Sequence, residues 1–199
     1  MTELVRLSKL MSERGLCSRR EADVWIEQGW VFVDGQRISE LGTRIDPTAK
    51  ITLAKEAQAN QAKLVTILLN KPVGYVSSQP EPGFTPAVSL ICAQTQQRNH
   101  GGNPFKPGML KGLAPAGRLD VDSTGLLVLT QDGRIAKQLI GEDSPVDKEY
   151  IVRVEGNMAD NGLQRLNHGL SLDREQLKPA QVEWINESQL RFILREGKK

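Results

Sequence analysis

Asp34-Gly35, set between Val31-Phe32-Val33 and Gln36-Arg37-Ile38, constrains this chain more than any other pair of residues. A two-residue hairpin that follows the twist of its strands needs positive φ at both central positions, and Asp-Gly supplies this at little cost. Ile51-Thr52-Leu53 reads as a further short strand beside that hairpin. Upstream, Leu7, Leu10 and Met11 have the i, i+3, i+4 spacing of a helix face, and Gly15 can close the helix in a left-handed cap. Ser18 followed by Glu21 fits a capping box, in which hydroxyl and carboxylate each take an orphan backbone N–H. The helix that follows carries Ala22, Trp25 and Ile26 inward and stops at Gly29. Residues 1–56 are expected to form one small domain of two short helices and a small sheet.

Residues 54–63 have no apolar periodicity beyond alanine, so the spacing predicts a connecting stretch, able to be helical, with the linker proper at 57–63. A second domain is expected over 64–199. Leu64-Val65-Thr66-Ile67-Leu68-Leu69 is dense enough for a buried strand, and Asn70-Lys71-Pro72-Val73-Gly74 turns into Tyr75-Val76. Residues 79–112 are rich in Pro, Gly, Gln and Asn and read as a long mobile surface excursion with one short helix around 86–92. Leu126–Thr130 is a strand, and Asp132-Gly133 leads into a helix with Ile135, Ala136, Leu139 and Ile140 on one face. Further strands are expected at 150–154, 181–185 and 190–194, with a helix near 159–167. The irregular mixture of strands and helices predicts an α+β fold with a mainly antiparallel sheet.

Net charge is only +2, so the total says little, but its distribution does. Residues 61–119 hold six Lys or Arg and one acid, while residues 120–199 hold eleven against fourteen. A second basic cluster, Arg6, Lys9, Arg14, Arg19 and Arg20, lies on the two helices near the start. Such clusters can neutralise phosphates, or simply be solvated helix faces. No apolar run approaches the roughly 20 residues that span a bilayer, and the N-terminus has no secretory apolar region. A cytoplasmic monomer without membrane contact is expected. Cys17 and Cys92 stand alone, and with only His100 and His168 available no His-based metal cluster can be written, so no metal is expected.

The richest stretch is GRLDVDSTGLLVLTQDG, Gly117 to Gly133. Asp120 and Asp122 are two residues apart, so an extended chain sends them to the same side. An arginine two residues before a carboxylate can hold it ionised, and an oriented carboxylate is a competent nucleophile. The same residues allow a turn-capping aspartate, a surface ion pair, or two carboxylates sharing a metal.

This stretch resembles the signature of the pseudouridine synthases, in particular the bacterial RsuA-type subfamily that modifies ribosomal RNA. That group also carries an N-terminal alpha-L RNA-binding domain, similar to residues 5–53 here, including the run Ser18–Asp23, SRREAD. The family's Lys-Pro-x-Gly turn matches Lys71-Pro72-Val73-Gly74, and its later Lys-x-Tyr strand matches Lys148-Glu149-Tyr150. The resemblance implies isomerisation of a uridine to pseudouridine in structured RNA, with ribosomal RNA as partner. It implies Asp120 as the nucleophile, Arg118 pairing with it, and Tyr150 stacking on the uracil and assisting proton removal. Lys71 and Lys148 take phosphate or structural roles, and Arg6, Lys9, Arg19 and Arg20 bind RNA. The reaction involves neither redox change nor phosphoryl transfer, so no cofactor is implied. Relatives continue into a basic segment where this chain ends at Arg195-Glu196-Gly197-Lys198-Lys199, which leads to the expectation of a C-terminally truncated catalytic domain.

Overall fold

The computed structural model describes residues 3–78, 82–97, 102–141, 144–172 and 174–195; His100, Lys198 and Lys199 lie outside them. Two compact units divide the chain, residues 1–137 and 138–199.

The first unit begins with the two helices read from the sequence, Leu7–Glu13 and Arg19–Glu27. Gly15 takes φ 70° after the first. The capping box is complete: Glu21 N–H donates to Ser18 Oγ (3.2 Å), and Ser18 N–H donates to the Glu21 carboxylate (2.8 Å). Asp34 and Gly35 adopt φ 50° and 83°, and the hairpin pairs Val31 with Ile38 and Val33 with Gln36. Ile51–Leu53 pairs with the other edge of Val31–Val33. Leu7, Met11, Ala22, Ile26 and Val31 are the sealed centre of this core. The stretch after it is a helix, Lys55–Gln61, whose Ala57 is buried in the same core and whose Gln61 amide donates to Leu16 C=O (2.8 Å).

The same unit holds a second, smaller core around Thr66–Lys71 and Gly125–Thr130, which pair antiparallel with Leu69 opposite Leu127 and Lys71 opposite Gly125. The first of these strands is not buried on both faces as its apolar run suggests. Leu68 is 69% exposed and Leu126, on the facing strand, 66%, because alternation sends every second residue outward. The excursion also departs from its sequence reading. Thr85–Pro86 pairs in parallel with Tyr75–Val76, a 3-10 turn spans Ala87–Leu90, and Ala87 is fully buried beside Leu127 and Leu129. Its described residues are exposed up to Thr85, and the short helix expected around 86–92 is this 3-10 turn, but Ala87 is sealed into the core with Val88 and Ile91 packed against it.

Taken by itself, the second unit is a three-stranded antiparallel sheet, with Gln189–Leu194 between Lys148–Arg153 and Gln181–Asn186. The helix Gly162–His168 is tied to it by Asn167, whose side chain accepts from Val182 N–H and donates to Val182 C=O (both 2.9 Å). Glu149, Arg191 and Glu183 form an exposed ion-paired row across the strands, each contact 2.9 Å. Apart from the two-residue parallel pair, the described strand pairs are antiparallel, as the α+β reading expects.

Candidate active site

The loop of residues 117–124 enters the end of the strand pair at Lys71 and Gly125. Two glycines bracket it at φ values closed to most side chains, Gly117 at 113° and Gly125 at 137°. Between them burial alternates: Arg118, Asp120 and Asp122 are exposed, while Leu119 and Val121 are half-buried and Leu119 packs on the second core. Exposure alternates along the segment, but the chain turns at Val121-Asp122, so the extended geometry expected to send Asp120 and Asp122 to the same side is not what the structure has there.

Four fastenings hold this presentation. Ser77 Oγ donates to Leu119 C=O (2.6 Å) and accepts from Leu119 N–H (2.8 Å), so one hydroxyl clamps both backbone groups of the residue preceding Asp120. Gly74 N–H, in the Lys-Pro-x-Gly turn, donates to Val121 C=O (2.8 Å). Thr124 Oγ1 donates to Lys71 C=O (2.9 Å). Ser123 N–H closes a turn on Asp120 C=O (3.1 Å). Residues on both sides of Asp120 are therefore fixed to residues 71–77, the end of the strand Thr66–Lys71 and the turn that follows it.

Lys71 itself has no exposed surface, and its ammonium donates to Pro72 C=O and Tyr75 C=O, each at 2.9 Å. Burial lowers its pKa from the ordinary lysine value, while the charges of Asp120 and then Asp122 pull it back up. Of the two roles weighed for this residue, contact with an external phosphate has no surface to act through, whereas an internal cation beneath the aspartate loop matches its place. The Lys-Pro-x-Gly motif marked the position; nothing in the sequence marked it as buried. Ser77 was missed outright, because one hydroxyl after a strand carries no pattern.

The basic residues of the helix pair separate into two kinds. Arg14 donates to Ala49 C=O (2.7 Å) and Pro47 C=O (2.6 Å), so its guanidinium ties the helix to a loop. Lys9 meets Glu13 across one helical turn at 3.5 Å. Arg6, Arg19 and Arg20 are exposed, the last two as the opening residues of their helix. Cations at a helix N-terminus oppose its dipole by a few tenths of a kcal/mol, so helix stability does not explain them. In the second unit Lys148 and Tyr150 share one face of their strand, half-buried, opposite Leu194 and Phe192. Among the described residues no three His, Cys, Asp or Glu side chains gather as metal ligands.

Comparison with known proteins covers both parts of the chain. The family model described as RNA pseudouridylate synthase matches residues 65–193, and that of the S4 domain matches residues 5–51. Over 203 residues the chain is 34% identical to an uncharacterized RNA pseudouridine synthase of Mycobacterium leprae, covering 98% of this chain and 74% of that one. It is 34% identical over 170 residues to the dual-specificity RNA pseudouridine synthase RluF of Escherichia coli K12, covering 84% of this chain and 53% of that one. With an RNA pseudouridine synthase of Mycobacterium tuberculosis it shares 35% over 171 residues, 85% of this chain and 63% of the relative. The chain thus spans between about half and three-quarters of the length of these relatives. A crystal structure described as a pseudouridylate synthase matches with a TM-score of 0.59 at 24% identity, over 98% of this chain and 79% of that one, which is a likeness of fold.

Proposed function

The chain belongs to the RNA pseudouridylate synthase family and carries an S4 domain at its N-terminus, and on that premise we propose that it isomerises a uridine of structured ribosomal RNA to pseudouridine with Asp120 as nucleophile. The observation that carries this reading is the fastened loop, with Arg118, Asp120 and Asp122 exposed and Lys71 buried beside it. Nucleophilic catalysis gains most when the attacking group is positioned before substrate arrives, and the Ser77 clamp supplies that positioning one residue away.

The reaction breaks the bond between the ribose and N1 of uracil, turns the base, and forms a bond from the ribose to C5. C5 loses a proton and N1 gains one, so atoms and electrons balance without an added reactant. The base must first leave the RNA stack, at a cost of a few kcal/mol. Arg118 pairs with Asp120 and steadies the site once the base is out, and Tyr150 is the aromatic platform on which the uracil stacks and an aid to proton removal. Lys71 acts beneath the loop as a positioning cation. Arg6, Lys9, Arg19 and Arg20 bind phosphates of the same RNA, the reading supported by the S4 match and by their exposure. Lys148 supports the Tyr150 strand. The protein works as a cytoplasmic monomer.

Nucleoside analysis of protein-free ribosomal RNA incubated with the chain tests this. Pseudouridine is expected with the parent and absent with Asp120→Ala, whose RNA affinity stays within a few-fold. Pseudouridine made at a substantial rate by Asp120→Ala overturns the nucleophile assignment. Turnover lost on chelation would instead favour Asp120 and Asp122 as a shared metal site.

A further inference from the structure

We infer that Lys106 and Lys111 form a second phosphate-binding surface for RNA, mounted on the same strand-to-helix junction that seats the Arg19-Arg20 end of the N-terminal helix pair. The inference rests on the RNA-modifying reading above and assigns part of the excursion to that substrate.

Both lysines are exposed, and they flank the 3-10 turn Pro107–Leu110. The turn is held from outside itself. The Gln131 side chain donates to Met109 C=O (3.1 Å) and Lys111 C=O (2.8 Å), while its Oε1 accepts from Val65 N–H (2.8 Å). The approach to Lys106 is held as well, because Gln96 donates to Asn103 C=O and accepts from Phe105 N–H, both at 2.8 Å. From residue 82 to residue 119 the sequence holds no acid, and among the described residues neither lysine has an ion-pair partner. Their charge is left for something outside the chain.

Gln131 lies two residues from Gly133, so the two positions are within roughly 7 Å of each other. At Gly133 the junction meets the helix pair so closely that an added Cβ would lie 2.2 Å from Ser18 Cβ. Lys137 Nζ, one helical turn on, donates to Ser12 C=O (2.8 Å). Arg19 and Arg20 follow Ser18 directly. The segment of residues 131–137 thus carries two basic groups, one from the helix pair and one from the excursion. Four cations tied to one segment match a polyphosphate backbone, which rewards charge without sequence readout. Because the turn is already pinned, little conformational entropy is lost when it binds.

The test is the salt dependence of binding of the full chain to a ribosomal RNA fragment, as log affinity against log salt concentration. The variants are Lys106→Ala with Lys111→Ala, Arg19→Ala with Arg20→Ala, and all four together, with Lys106→Arg and Lys111→Arg as a rescue. Each pair should make the slope shallower by about 0.7–0.9 per lost contact and weaken binding on the order of 10-fold at low salt. The quadruple variant should show the sum, and the arginine pair should restore the parental slope. A loop variant with parental slope and affinity, beside an arginine variant that loses both, overturns the inference. Pseudouridine formation at saturating RNA is measured in parallel. An inactive parent would sink the functional reading while the slopes still decide this surface.

Discussion

The two cores of the first unit are built by different means. Around the helix pair, apolar side chains do the work: Leu7, Met11, Trp25, Ile26 and Val31 are nearly or wholly sealed from solvent. Beneath the Asp120 loop the fully buried apolar groups described are few, Ala87, Leu127 and Leu129, and polar side chains take their place. Lys71 and Ser77 are buried there and spend their hydrogen bonds on backbone, while Thr130 and Asp132 are buried at the other end of the strand Gly125–Thr130, with Gln131 beside them, and bond to a neighbour or to backbone. Burial of apolar area is non-directional and tolerates small shifts, whereas a buried hydrogen bond holds one geometry and is costly to leave unmade. The docking domain is therefore held by packing, and the loop that carries Asp120 is held by direction.

That contrast can be broken at either core. Trp25→Ala should cost about 3–5 kcal/mol in denaturant unfolding, the largest effect expected, because it opens a cavity in the packed core. A loss below about 1 kcal/mol would show that the helix pair is held by something else. Lys71→Met is the sharper counterpart. It keeps the volume but takes the donor from the Pro72 and Tyr75 carbonyls, at about 1–3 kcal/mol together because Pro72 is open to water, and it should lower turnover more than its stability loss explains. Stability lost with turnover intact would make Lys71 a structural residue only. Ser77→Ala, read in the same two assays, should cost about 1–3 kcal/mol and slow catalysis with RNA affinity unchanged, since it frees Leu119 beside Asp120, the proposed nucleophile.

These polar anchors were also the part least legible in the sequence. The helix pair, the capping box, the Asp34-Gly35 hairpin and the strand Leu126–Thr130 follow from periodicity and turn chemistry, and each is present within a residue or two. The aspartate loop reads as extended, whereas residues 120–123 turn, a bend that Ser123-Thr124-Gly125 marks only as flexible. Ser77 and Gln131 were not legible, because a lone hydroxyl or amide has no period and its partners lie 42 and 66 residues away in the chain. The burial of Ala87 and the parallel pairing of Thr85–Pro86 were hidden by the Pro and Gly composition of the surrounding excursion. Leu68 misled in the opposite sense: its apolar run concealed an alternating strand with one open face.

The last expected effect is one of pH, absent at neutral pH, and concerns the boundary between the cores. Burial, then the Glu21 charge, pushes the Cys17 thiol up to about 12 from an ordinary 9.0, with Arg134 opposing and Asp132 and Asp23 adding to the rise. Between those values the unfolded chain has lost a proton that the folded chain keeps, so stability is full below pH 9 and falls as pH rises towards 12. The slope is up to about 1.4 kcal/mol per pH unit, and Cys17→Ala should abolish it. A parent and variant with equal slopes above pH 9 would contradict the burial of that thiol. At neutral pH a thiol reagent should modify Cys92, whose pKa is lowered chiefly by the Thr95 hydroxyl, well before Cys17.

The central claim is that Asp120, held in place by its fastened loop, carries out chemistry that the docking surface does not. Tritium release from ribosomal RNA labelled at C5 of uridine, followed for the parent and Asp120→Ala at saturating RNA, tests it most directly. The account predicts steady release by the parent and none by the variant, with both binding the RNA alike. Equal release by the two proteins would contradict it.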